Sequence, residues 1–109
     1  MTDRESARLH RLEDLDRERM MDRVERRYLS GERSTLAQIW LARGALVPAH
    51  THESEQVSYV VEGALRFRLG ADGADEVVVR SGEVLVIPSD LPHAAEALED
   101  TYDLDFFAP

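Results

Sequence analysis

From residue 35 onward, apolar and polar side chains alternate with a period of two, the repeat of a strand with one buried face. Thr35–Leu41 puts Leu36, Gln38 and Trp40 on one face, and Arg43-Gly44 turns the chain. Strands are expected over Leu46–His52 and Gln56–Glu62, on either side of the polar Glu53-Ser54-Glu55, with Gly63 ending the second. Leu65, Phe67 and Leu69 then alternate with Arg66 and Arg68, and Asp72-Gly73 is a hairpin signal. Further strands are expected over Glu76–Arg80, Val84–Ile87, His93–Leu98 and Tyr102–Phe107. About eight or nine short strands, broken by Gly, Pro and Asp, predict an all-β sandwich or barrel. No repeat, linker or second domain interrupts residues 34–109.

Residues 1–33 read differently. Leu9, Leu12, Met20 and Val24 fall loosely at helical spacing, with Glu/Arg pairs to support a helix. Val24, Arg26 and Tyr28 also alternate with polar neighbours, as in an edge strand. The reading adopted is a solvated arm followed by a first strand, with a turn at Ser30-Gly31-Glu32.

Composition narrows the function classes. A chain of 109 residues is long enough for one core. It contains no cysteine, so neither disulfides nor thiolate chemistry is expected, and a reducing cytoplasm fits. No apolar run approaches the ~18 residues of a membrane span, and the N-terminus lacks the apolar stretch of a signal peptide. A net charge of −9 opposes binding to nucleic acid. Residues 1–33 are neutral, so the whole excess lies in the barrel; all thirteen basic residues are arginine, a compositional bias.

The chemistry begins with the histidines. His50 and His52 are one residue apart on an expected strand, so both rings can face one point, the outline of a first-row metal site. Gly44 precedes them, and Gln56 and Gly63 follow; a second stretch, Gly82-Glu-Val-Leu-Val-Ile-Pro88-Ser-Asp-Leu-Pro-His93, supplies a third histidine after a proline-bounded turn. Together these stretches resemble the two motifs of the cupin superfamily. Gly44, His50, His52 and Gly63 match G-x5-H-x-H-x3/4-E-x6-G, with Gln56 in place of Glu; Gly82, Pro88 and His93 match G-x5-P-x-G-x2-H-x3-N, with Asp90 and Ala97 as departures.

The resemblance implies a double-stranded β-helix, or jelly-roll, barrel in which His50, His52, Gln56 and His93 hold one divalent transition metal. Three imidazoles and an amide oxygen suit Mn, Fe, Co, Ni or Zn alike. The amide oxygen reaches the histidines if the strand opened by Gln56 pairs with the strand that carries His50 and His52. A one-residue shift of register would present Glu55 instead. Neutral Gln56 leaves the metal more positive than Glu would, favouring Lewis acidity and anionic ligands.

The segment Leu104-Asp105-Phe106-Phe107-Ala108-Pro109 resembles the ending of cupins similar to those that convert unsaturated uronates, which implies a catalytic role for Asp105 beside the metal. The competing reading leaves Asp103 and Asp105 solvated on an edge strand. Trp40, Tyr59, Phe67, Phe106 and Phe107 are expected in the core or at an interface. Homodimer formation is expected through apolar faces at Val24, Tyr28 and Trp40. The leading functional expectation is metal-dependent, non-redox proton transfer of isomerase or lyase type on a small anionic hydroxy- or oxo-acid. An Fe(II)-dependent dioxygenase and a non-catalytic small-molecule-binding module are the alternatives.

Overall fold

The computed structural model describes residues 6–109. Ten strands follow a single turn of 3-10 helix at Leu12–Asp14: β1 (Glu18–Met21), β2 (Val24–Ser30), β3 (Thr35–Leu41), β4 (Leu46–His50), β5 (Glu55–Glu62), β6 (Ala64–Leu69), β7 (Asp75–Arg80), β8 (Val84–Ile87), β9 (His93–Ala97) and β10 (Thr101–Ala108). They form two antiparallel sheets, one ordered β1-β2-β3-β10-β5-β8 and the other β4-β9-β6-β7. This is the expected all-β jelly-roll barrel. Among the described residues, no helix is long and apolar enough to cross a membrane.

The alternation along the strands explains the packing. On β3 the buried side chains are Ala37 and Leu41, so Leu36, Gln38 and Trp40 form the outer face of that strand. Val60, Leu65, Phe67, Val79 and Ile87 meet between the sheets with Val24 and Leu41. Burying each of the larger side chains contributes about 1.5–3 kcal/mol, enough to hold two short-stranded sheets face to face.

In the N-terminal segment the expected strand at Val24–Tyr28 forms as β2, and one further strand, β1, precedes it. The helical reading of Leu9–Val24 fails: β1 and β2 form a hairpin in which Met21 pairs with Val24 and Asp22-Arg23 make the turn. Arg23 has φ +62 there, a left-handed conformation that no Gly or Asn announces. The hairpin extends the larger sheet, with Val24 opposite Leu41 and Arg26 opposite Ile39. Val24 is therefore 1% exposed inside the barrel and unavailable to a partner; Tyr28 is exposed. Trp40 stacks on Tyr102 at 5.5 Å between ring centroids, and the Arg17 guanidinium lies 3.8 Å above it. The expected arm of residues 1–33 falls in part on residues 1–5, outside the described residues.

Gly63 links β5 to β6 with φ +98, and a Cβ there would stand 2.5 Å from the Asp100 carbonyl oxygen and 2.8 Å from Thr101 Cα. Both obstacles are backbone, so neither can swing aside. Gly63→Ala is expected to destabilise the fold by about 2 kcal/mol or more, from left-handed strain plus overlap. Denaturant unfolding measures it, and a loss below about 0.5 kcal/mol, the size of an ordinary surface substitution, would contradict this account.

Candidate metal centre

Two of the three histidines come from the smaller sheet and the third from the loop that follows β4. His50 ends β4 and His93 opens β9, and these two residues are antiparallel partners. The strand stops at His50, earlier than expected, and His52 lies in the following loop. A register irregularity between Val47 and His50 brings the chain round, so the convergence owes more to this bend than to a shared strand face. One nitrogen from each ring lies within 4.8 Å of the others.

One device fixes all three rings. Nδ1 of His50 is 2.9 Å from the Pro48 carbonyl, that of His52 is 2.9 Å from the Ser54 carbonyl, and that of His93 is 2.9 Å from the Leu91 carbonyl. A carbonyl only accepts, so Nδ1 carries the proton and Nε2 keeps its lone pair. His93 Nε2 is buried without a hydrogen-bond partner. Burial lowers the His93 pKa against the opposing Leu91 hydrogen bond, and any positive charge on His50 or His52 would lower it further. A neutral ring with an outward lone pair is the form a metal requires. Asp90 ties the second motif to the first: it stands at φ +65 where the motif has Gly, and its N–H donates to the His52 carbonyl at 2.8 Å.

Oxygen donors and acids come from the opposite sheet. The expected pairing of the His50 strand with the Gln56 strand does not occur: β4 pairs with β9, and β5 lies between β10 and β8. Gln56 instead reaches the histidines across the sandwich. Gln56 and Ser58 are buried and inward-facing, whereas Glu55 is exposed. The register that would present Glu55 is therefore not adopted.

Asp103 and Asp105 are buried as well, on a β10 that lies between β3 and β5. The solvated edge reading of these carboxylates is thus incorrect. Their hydrogen bonds form a directed chain. Asp103 is pushed from the usual 3.8 up to about 10, by burial first and then by its hydrogen bond with Asp105 and the charge of that neighbour. A protonated Asp103 donates to Asp105. Ser58 Oγ donates to Asp105 Oδ1 at 2.7 Å, so Ser58 accepts from Gln56 Nε2 at 2.8 Å. This orients the amide and leaves Gln56 Oε1 facing His52 Nε2 at 3.1 Å.

With Nδ1 carrying the ring's one proton, both of those atoms present lone pairs, an arrangement that is repulsive unless a metal cation or a second proton lies between them. With the unpartnered His93 Nε2, it makes the site fit a divalent transition metal: His50, His52 and His93 could hold it through nitrogen, and Gln56 through oxygen. The adjoining cavity, of about 230 Å³, is walled by Ile39, Val47, Leu65, Phe67 and Ala95 and also lined by Asp103, Asp105 and Phe107. Phe107 packs edge-on against His52 with 5.7 Å between ring centroids, a cavity position rather than the core or interface role expected of it. Sequence reasoning missed Ser58 and Asp103. Their signal was the alternation itself, since Gln56 and Ser58, like Asp103 and Asp105, are two residues apart.

The sequence matches the Cupin domain family over residues 39–108. The chain is a cupin. No curated protein matches its sequence. Among solved structures it is similar to KdgF from Halomonas sp., with TM-score 0.84 and 25% identity over 95% of this chain and 94% of that one. It is similar also to an RmlC-like cupin from Shewanella frigidimarina NCIMB 400, with TM-score 0.83 and 28% identity over 95% and 92%. Oxalate decarboxylase OxdC from Bacillus subtilis shares the fold, with TM-score 0.77 and 20% identity; the match covers 98% of this cupin and 32% of that longer chain.

Asp103 sets a pH dependence of stability. Its folded pKa lies above its unfolded one, so between the two the folded state binds more protons. The stability it contributes is full below the unfolded value of 3.8 and is lost as pH rises toward about 10. Asp103→Asn keeps a donor toward Asp105 and cannot ionise. Relative to wild type, the variant should gain stability steadily from pH 5 to pH 8, by up to about 1.4 kcal/mol per unit. Parallel stability–pH curves for the two proteins would rule out a protonated Asp103.

Proposed function

We propose that this cupin is a metal-dependent enzyme of isomerase or lyase type, moving protons without redox chemistry on a small hydroxy- or oxo-acid. The observation that carries the reading is the directed chain Asp103–Asp105–Ser58–Gln56–His52, which joins a candidate metal site to an acid pair in which Asp103 keeps its proton. A bound divalent metal would polarise the ligand's carbonyl or hydroxyl oxygens and favour enediol or enolate character.

The chain's own residues supply the remainder. Asp105 is the proton-transfer group, held in place by the Ser58 hydroxyl. Asp105 takes a proton from one atom of the ligand and returns it to another, while Asp103, which lines the same cavity, keeps its own proton and holds Asp105 by a hydrogen bond. The apolar walls exclude water and strengthen these charged interactions. The resemblance of Leu104–Pro109 to cupins that convert unsaturated uronates supports sugar acids as the ligand class. Neutral Gln56 also favours this reading over O₂ chemistry, because many iron sites that cycle their oxidation state include a carboxylate.

A second copy of the chain is the proposed partner. Phe106, Val57 and Val86 form one row on the outer face of the larger sheet, across β10, β5 and β8. Phe106, Val84 and Val86 are 44%, 55% and 56% exposed there, and pairing two such faces would remove this apolar surface from water. Light scattering at micromolar concentration should give twice the 12.4 kDa chain mass; a monomer that persists at that concentration refutes pairing.

Metal content is the first test of function. His50→Ala and His93→Ala should each lose bound metal, and a full equivalent retained in both would exclude the assignment. The apoprotein loaded separately with Zn, Ni, Mn or Fe(II) should then turn over sugar acids or oxo-acids with redox-inert Zn and without O₂ uptake. Asp105→Asn should lower that rate by about 10²–10⁴ while keeping its metal. Activity confined to Fe(II) and proportional to O₂ consumed identifies a dioxygenase instead, and metal-independent binding without turnover identifies a binding module.

A further inference from the structure

The cavity's fixed positive charge comes from the N-terminal hairpin. Arg26 faces inward on β2, in one row with Ile39 and Asp103 across β2, β3 and β10. It lines the cavity that also contains His50, His93 and Asp105. It borders a second, outer groove as well, together with Ser54, Glu53 and Phe107, and so stands where the buried chamber meets the surface. Among the described residues lining the chamber, it is the one side chain with a permanent positive charge, and the sequence contains no lysine.

Its present partner indicates what it recognises. Arg26 Nε donates to Glu18 Oε1 at 2.7 Å, and the guanidinium carbon lies 4.9 Å from the centre of the Tyr28 ring. Glu18 is a half-exposed carboxylate on β1, the outermost strand of the sheet. Its bond uses one of five guanidinium donors, and a guanidinium presents two parallel N–H groups to a carboxylate more favourably than one. An exposed ion pair of this kind contributes little, so an incoming carboxylate can displace Glu18 at small cost. The Tyr28 ring meanwhile keeps the guanidinium near the mouth.

We propose that Arg26 binds the carboxylate of the incoming acid at the cavity mouth and thereby sets specificity for acids over their neutral analogues. This rests on the reading above that the ligand is a small acid held at the histidine cluster. The ligand would then be gripped at two points: its oxygens at the metal and its carboxylate at β2. Glu18 acts as a stand-in that occupies Arg26 until the ligand arrives.

Calorimetric titration of the Ni(II)-loaded full chain tests this, with D-galacturonate, D-gluconate and pyruvate against the neutral D-galactose, D-glucitol and acetone. Wild type should bind at least one acid more tightly than its neutral counterpart. Arg26→Gln should weaken that acid at least tenfold with Ni content unchanged, abolishing the preference, and Arg26→Lys should restore part of it. Glu18→Gln should tighten acid binding severalfold by removing the competitor. Undiminished acid binding by Arg26→Gln, with binding lost in His50→Ala, overturns the proposal and leaves the metal-centred reading intact. Acid binding lost in Arg26→Gln but kept in metal-free His50→Ala supports Arg26 and refutes metal chelation. If no acid is preferred by Ni-loaded wild type, both fail.

Discussion

The centre of this barrel depends on one constraint: every hydrogen bond between Asp103 and His52 must run in the same direction. Asp103 and Asp105 are both buried, and two ionised carboxylates so close would repel in a medium of low dielectric. One must keep a proton, and burial assigns it to Asp103. Ser58 then donates to Asp105, Gln56 donates to Ser58, and the Gln56 oxygen is left facing an imidazole lone pair. A cation held by the histidines would relieve this contact at the end of the chain. Unmet demand remains at both ends of this chain, at Asp103 Oδ1 and at His93 Nε2 beside the candidate site.

The two sheets divide the work. The smaller one, with the loop that follows β4, contributes the histidines, and the larger one contributes Gln56, Ser58 and both acids. A metal bound by His50, His52, His93 and Gln56 would join the sheets, so binding and folding would be linked through the same contacts. Strand pairing does not supply that link, since each backbone ladder runs within one sheet and the Thr101–Ala64 hydrogen bonds that cross between the sheets lie elsewhere, beside Gly63. At this end of the barrel the sheets meet through polar residues rather than through the Val60–Ile87 core, and closure there depends on what those residues hold.

Much of the fold was legible because the signals were local. Thr35–Leu41 and Val84–Ile87 lie where alternation and bounding turns put them, and Gly63 ends a run because its φ suits glycine. The histidine cluster was legible from motif spacing, although the reasoning about strand partners was not: Gln56 lies across the barrel, which no local pattern reveals. The β1–β2 hairpin was hidden because Asp22-Arg23 lacks ordinary turn residues and β1 is almost entirely exposed. Asp103 was misplaced because carboxylates in a strand usually signal an edge. Only the topology, with β10 between β3 and β5, shows that they line a cavity.

Gln56 can be understood from both of its ends. Seen from the metal, an amide in place of a carboxylate leaves the cation more positive and better able to stabilise a negatively charged oxygen. Seen from the acids, an amide accepts at one end and donates at the other without having to hold a titratable proton. A glutamate would have to be protonated to donate to Ser58, and ionised it would compete with Asp105 for the single Ser58 proton. The whole chain would reverse or break, and Asp105 would lose the hydroxyl that holds it. The departure from the common cupin motif is thus matched to the acid pair on β10. An amide at the candidate metal site and an acid pair that keeps one proton fit a single arrangement of donors and acceptors.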